Sequence, residues 1–102
     1  MQVFSVVWGR GAYEDGTVNT YAGLHGIYLT EADAKKHLEE CKQEFLDEIL
    51  NNPDLSDDDK ESFKHNVQVY GSVVDDYFEI DYTVDEQPVE IYIQITHSHV
   101  QD

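Results

Sequence analysis

The last third of the chain alternates apolar and polar residues with the period of two that is typical of β-strands. Two such runs, residues 75–84 and 89–96, are separated by a short segment that contains Pro88. The pattern predicts a hairpin that turns through residues 85–88, with Pro88 at the start of the returning strand, where its missing amide is tolerated. The side chains predicted to face the core are Phe78, Ile80, Tyr82, Val89, Ile91, Ile93 and Ile95.

Two further strands are predicted near the N-terminus. Residues 2–8 are rich in β-branched and aromatic side chains, and residues 17–22 resume an extended pattern. Because glycine weakens a strand and favours turns, the glycines of this region are expected to bound the strands. We expect a turn at residues 9–11, a long loop as far as residue 16, and breaks in the second strand at Gly23 and Gly26.

A first helix is predicted to begin after Thr30 and to end near Leu50. The Thr30 hydroxyl can accept a hydrogen bond from the amide three residues later, and Pro53 disfavours helical geometry at the residue before it. The solvated face is expected to carry the ion pairs Glu31–Lys35, Lys35–Glu39 and Lys36–Glu40. The apolar residues that recur at helical spacing on the other face are Ala34, Leu38, Cys41, Phe45 and Ile49.

A second helix is predicted to begin after Ser56, which is followed by three aspartates in the first turn. Its end is ambiguous. Phe63, Val67 and Tyr70 fit a helical face, whereas residues 67–70 also alternate as a strand would. Gly71 and the β-branched residues around it favour a helix to about Asn66 and extended chain afterwards.

These elements predict a single α+β domain, residues 1–102, with the order β-β-α-α-β-β. We expect an antiparallel sheet of about four strands with two helices packed on one face, and the other face in contact with water.

Acidic residues outnumber basic ones by 22 to six, which gives a formal net charge of -16. Direct binding to nucleic acid or to an anionic membrane is not expected, because both need Lys and Arg to meet the phosphates. The apolar N-terminal run has no basic flank and is too short to span a bilayer, and Cys41 stands alone. We therefore expect a cytoplasmic protein without an anchor or an intrachain disulfide.

No motif for catalysis or cofactor binding is recognisable, so neither an enzyme nor a cofactor is expected. Two pairs of residues have spacings that a metal ion can use, namely His97 with His99 and His37 with Cys41. Neither pair belongs to a larger set of ligands with recognisable spacing, and the acidic run 57–59 lacks the alternation and the glycine of a calcium loop. No metal is expected, although the sequence leaves both pairs open.

The C-terminal hairpin is the best candidate for a binding surface, because residues 66–102 contain eight acidic residues and no Lys or Arg. Carboxylates two residues apart on a strand recur at about 6.6–6.8 Å, a separation similar to that of successive phosphates in a nucleic-acid strand. Outward-facing tyrosines are the amphipathic anchors that protein interfaces favour. The predicted partner-binding residues are Asp75, Asp76, Tyr77, Glu79, Asp81, Asp85, Glu86, Glu90 and Tyr92.

In its size, its acidity, its lack of a catalytic motif and its small α+β core, the chain resembles small phage-encoded anti-defence proteins, including anti-CRISPR and anti-restriction DNA mimics. It also resembles the acidic immunity proteins that block basic nuclease toxins. The resemblance implies an inhibitor that occupies the basic, nucleic-acid-binding surface of a nuclease or defence effector in the host cytoplasm. It carries over no individual residues. A small acidic accessory protein that forms homodimers or larger homo-oligomers is the alternative.

Overall fold

The computed structural model describes residues 1–14 and 17–100 of the chain. Within these residues all strand pairings are antiparallel, and the strands form one sheet in the order β2-β1-β4-β3. The predicted α+β fold and its order of elements are confirmed. The elements are β1 Gln2–Glu14, β2 Thr17–Tyr28, α1 Glu31–Leu50, α2 Asp57–Tyr70, β3 Tyr77–Val84 and β4 Gln87–His99.

Both helices pack on one face of the sheet, and the core lies between the two layers. Phe63 of α2 and Leu38 of α1 are 1% exposed, and Phe78 and Ile93 of the sheet are fully buried. The predicted inward side of the hairpin is confirmed, because every residue expected there is buried. The opposite sheet face, called the outer face below, is not covered by either helix.

Both helices begin where the sequence predicts. The amide of Asp33 donates a 3.2 Å hydrogen bond to the Thr30 hydroxyl, and the amide of Asp59 donates a 3.1 Å hydrogen bond to the Ser56 hydroxyl. The predicted end of α1 at Leu50 is also confirmed.

The expected ion pairs of α1 are found only in part. Lys35 lies 3.3 Å from Glu31, as predicted. Glu39 instead lies 3.9 Å from Lys42, and Glu40 lies 2.8 Å from Nδ1 of His37. Several partners lie within one helical turn of each carboxylate, so spacing alone does not choose among them.

The predicted interruptions of the first two strands are wrong. β1 continues through Gly9 and Gly11 to Glu14, and β2 continues through Gly23 and Gly26 to Tyr28. Aromatic rings explain three of these glycines, because a Cβ atom would overlap the ring of Tyr92 at Gly9, Trp8 at Gly23 and Tyr28 at Gly26. Residues 12–14, which were expected in a loop, belong to β1, and Glu14 pairs with Thr17. Asp15 and Gly16 lie outside the described residues.

The predicted end of α2 at Asn66 is also wrong, because the helix continues to Tyr70. Val67 packs against the core one turn after Phe63, and this packing outweighs the weak helix propensity of β-branched residues. Gly71 ends the helix and donates a 2.9 Å hydrogen bond to the carbonyl of Val67. Nζ of Lys42 donates to the Gly71 carbonyl at 2.6 Å, which ties this end of α2 to α1.

The terminal hairpin is confirmed, with a tighter turn than expected. Val84 pairs with Gln87, so only Asp85 and Glu86 lie in the turn, and both have positive φ angles of 49° and 67°. Two-residue hairpins favour this geometry because it matches the twist of the strands. Pro88 is the second residue of β4 and lies just beyond the last β1–β4 pair, Ala12 with Val89. Neither α1 nor α2 is long and apolar enough to cross a membrane.

Candidate protein-binding face

The strand register places the outward side chains of the hairpin in parallel rows across the sheet. Asp81 pairs with Glu90, and Glu79 pairs with Tyr92 in the neighbouring row. The rows continue onto β1, where Glu90 pairs with Gly11 and Tyr92 pairs with Gly9. The Tyr92 ring covers Gly9, whereas no atom lies within 4 Å of the position that a Cβ atom of Gly11 would occupy, so the outer face is open beside Glu90.

Glu79, Asp81 and Glu90 form an acidic cluster on the outer face. One carboxylate oxygen of each lies within 4.8 Å of those of the other two, and all three residues are exposed. None of the ion pairs found within residues 1–14 and 17–100 includes them. Loss of hydration raises the pKa of Asp81, and repulsion from Glu79 raises it further. The acidic cluster is therefore a concentrated negative charge that lacks a salt-bridge partner in the described chain.

A pair of tyrosines borders the acidic cluster. The rings of Tyr77 and Tyr92 stack with their centroids 6.2 Å apart at 13°, and each residue remains 37% exposed. The Tyr77 hydroxyl donates a 3.0 Å hydrogen bond to Oε2 of Glu79. Burial, followed by this hydrogen bond, raises the pKa of Tyr77. The Tyr92 ring lies over Gly9, so both rings are held in place while presenting apolar area to solvent.

Asp75 and Asp76 lie in a different position from the acidic cluster. They form a two-residue turn with φ angles of 52° and 62°, closed by two 3.0 Å hydrogen bonds between Val74 and Tyr77. Asp76 is half-buried and lies 3.9 Å from Lys35 and 3.8 Å from His97. Asp76 therefore lies beside a cation that α1 supplies from a distant part of the sequence, and its role in partner binding stays a prediction. Asp75 remains exposed.

Asp85 and Glu86 are exposed at the tip of the hairpin. Asp85 comes four positions after Asp81, which corresponds to about 13 Å along a strand. The structure thus brings Tyr77, Glu79, Asp81, Glu90 and Tyr92 together and leaves the two turns as separate acidic positions.

An apolar patch that the sequence did not predict lies on the outer face of β1 and β2 and is formed by Val7, Leu24 and Ile27. Leu24 and Ile27 are 57% and 59% exposed. Val7 pairs with Leu24 on one side and with Gln94 on the other, and Gln94 pairs with Tyr77. The patch therefore adjoins the tyrosine pair. The apolar residues at positions 24 and 27 could have indicated this patch. They were not placed on one strand face, because the second strand was predicted to break at the glycines.

The two residue pairs considered for metal binding differ in their surroundings. The His97 ring packs on Phe4 with centroids 4.9 Å apart, and His99 is exposed. Cys41 is buried, and burial raises the pKa of its thiol to about 11, so it is a poor thiolate ligand. His37 instead lies with His25 and Glu40, and one possible ligand atom of each is within 4.8 Å of those of the other two.

Comparisons with protein-family models, with curated protein sequences and with solved structures found no significant match to the chain.

Proposed function

We propose that the chain is a protein-binding inhibitor that covers the basic, nucleic-acid-binding surface of a partner protein with the outer face of β3 and β4. The observation that carries this proposal is the acidic cluster, whose carboxylates are exposed, close together and without a salt-bridge partner among the described residues. An anionic surface of this kind speeds the encounter with a basic groove and discriminates against acidic partners.

The tyrosine pair supports the same proposal. Tyr77 and Tyr92 add rigid, partly apolar area beside the charges, and such residues contribute much of the binding free energy in protein interfaces. The partner would be a nuclease or another defence effector in the cytoplasm, bound in the manner of a DNA mimic. An anti-CRISPR or anti-restriction role and an immunity role against a basic nuclease use the same surface. The chain itself would catalyse no reaction.

The test uses the chain immobilised on a resin, with retained basic proteins identified by mass spectrometry. We expect a nucleic-acid-binding protein that is released by raised salt and by competing duplex DNA. A triple variant, Glu79→Gln, Asp81→Asn and Glu90→Gln, removes all three carboxylates of the acidic cluster. It is expected to bind that protein about 10- to 100-fold more weakly, mostly through a slower association rate.

A matched control removes three exposed carboxylates from the helices with Glu44→Gln, Glu48→Gln and Glu61→Gln. It changes the net charge equally and is expected to affect binding much less. Equal losses in the two triple variants would mean that net charge, not the acidic cluster, determines binding. Retention that duplex DNA does not reduce would refute occupation of a nucleic-acid site.

A homodimer is the second candidate, and the apolar patch favours it because Leu24 and Ile27 are more than half exposed and lie together on one sheet face. Sedimentation distinguishes the two candidates. A mass that rises with concentration and is lowered by Leu24→Gln would favour the homodimer, whereas a monomer that binds a basic partner would favour the inhibitor.

A further inference from the structure

We propose that His25, His37 and Glu40 form a binding site for a zinc-class divalent ion between β2 and α1. One ligand atom from each residue lies within 4.8 Å of those of the other two. Two imidazole nitrogens and one carboxylate oxygen are a common donor set for zinc, and three protein ligands leave a fourth position for water or another donor. This site is separate from the acidic cluster and does not depend on the proposed inhibitory function.

A β-bulge positions the first ligand. Val6 pairs with Gly26 and Val7 pairs with Leu24, so His25 is the extra residue of β2 and has no partner on β1. A bulge bends the strand and redirects a side chain, and bulges are frequent beside functional sites. His25 is half-buried and its ring centroid lies 6.2 Å from that of His37.

The helix α1 supplies the other two ligands. His37 and Glu40 are three residues apart and therefore project from the same side of the helix, with His37 Nδ1 2.8 Å from Glu40 Oε2. The His37 ring stacks on Tyr28, with centroids 4.3 Å apart at 9°. This stacking restricts the orientation of the imidazole before an ion arrives, which lowers the cost of ordering it.

Only small movements separate this arrangement from coordination. Ligand atoms at about 2.0–2.2 Å from a tetrahedral zinc lie roughly 3.4 Å apart. Separations of up to 4.8 Å must therefore shorten by at most about 1.4 Å, and the 2.8 Å between His37 Nδ1 and Glu40 Oε2 must lengthen by about 0.6 Å. The Glu40 side chain is 48% exposed and the His37 side chain is 33% exposed, so both have room to adjust. The ion would replace the close contact between His37 Nδ1 and Glu40 Oε2.

The surroundings favour zinc over calcium. Calcium prefers six to eight oxygen ligands, whereas this site offers two nitrogens and one carboxylate. Solvent reaches the site on the side of Glu40, whose side chain is 48% exposed.

The experiment titrates Zn²⁺ into chelator-treated protein by isothermal calorimetry. We expect one ion per chain, and we expect Co²⁺ to give the visible absorption of a low-coordination site with nitrogen ligands. His25→Ala is expected to weaken Zn²⁺ binding at least about tenfold, and Glu40→Gln about tenfold. Glu40 is an exposed helical residue, so this second variant keeps the test informative if His25→Ala is poorly folded.

His99→Ala serves as the matched control, because it removes an exposed imidazole far along β4 and is expected to leave Zn²⁺ binding unchanged. The proposal is overturned if no stoichiometric binding occurs or if His25→Ala and Glu40→Gln bind Zn²⁺ as the wild type does. It is equally overturned if binding is lost in His99→Ala, or if only the triple variant of the acidic cluster abolishes it.

Discussion

Asp81 illustrates how individual residues on the outer face oppose folding. It lies directly opposite Glu90 and shares its strand face with Glu79, and like charges at such positions destabilise a sheet. Loss of hydration, followed by repulsion from Glu79, raises the pKa of Asp81, so the folded chain favours the protonated carboxyl. Residues kept where they reduce stability are characteristic of binding surfaces.

Asp81→Asn is therefore expected to raise the free energy of unfolding at neutral pH. Because the pKa of Asp81 is raised in the folded chain, the wild type loses stability as pH rises from the ordinary value of 3.8 through the raised value. The advantage of the variant should be present above this window and absent below it. Urea unfolding of both proteins between about pH 3 and pH 7 measures the difference.

Glu86→Gln is the control, because it removes one carboxylate from the hairpin tip, outside the acidic cluster. It should give a smaller change than Asp81→Asn. If Asp81→Asn lowers stability at neutral pH, Asp81 makes a favourable interaction in the folded chain and the view of the cluster as a destabilising feature is wrong.

Individual side chains were predictable where alternation along one strand decides their direction. The buried set of the hairpin and the outward positions of Glu79, Asp81 and Tyr92 follow from the period of two. The surroundings of Asp76 were not predictable, because Lys35 approaches it from α1, which is distant in sequence.

At the scale of the elements, the helix starts, which depend on local interactions, were predicted correctly. The continuation of β1 and β2 through their glycines was not predicted. A helix start depends on a hydroxyl and an amide three residues apart, so Thr30 and Ser56 could be recognised directly. Glycines permit turns, which is why breaks were predicted in β1 and β2. In the structure, most of these glycines instead make room for an aromatic ring, which comes from a neighbouring strand or from two residues away. The sequence alone does not show over which glycine an aromatic side chain will pack.

Ser56→Ala is expected to destabilise the protein by about 0.5–2 kcal/mol, because the amide of Asp59 loses its hydrogen-bond acceptor. The effect should appear in global unfolding, since α2 anchors Phe63 in the core. Ser62→Ala is the control, because Ser62 is exposed within the same helix and alanine has the better helix propensity. Equal losses in both variants would show that the Ser56 hydroxyl is not acting as a cap.

At the scale of the whole molecule, the first and last strands are neighbours in the sheet, so the two ends of the described chain lie side by side. β1 and β4 pair along most of their lengths, and the amide of Val100 donates a 2.7 Å hydrogen bond to the carbonyl of Met1. The fold class followed from the periodicity of the segments, but this central pairing did not, because contacts between distant residues leave no local pattern. The same pairing places the apolar patch beside the tyrosine pair. The sequence therefore did not predict how far the candidate surface extends.

The net charge of -16 gives a prediction for the molecule as a whole, namely that NaCl stabilises the fold. Carboxylates repel each other more strongly in the compact state than in the expanded chain, and raising the salt concentration from about 10 mM to about 150 mM shortens the screening length from about 30 Å to about 8 Å. The midpoint of thermal unfolding should therefore rise over this range.

The triple variant Glu44→Gln, Glu48→Gln and Glu61→Gln carries three negative charges fewer and should respond less to NaCl. Partner binding through the acidic cluster should respond in the opposite direction, because the same screening weakens attraction between unlike charges. Measuring both quantities over one salt series separates loss of binding from loss of folding. An unfolding midpoint that falls as NaCl rises would mean that favourable ion pairs outweigh the repulsion among the carboxylates.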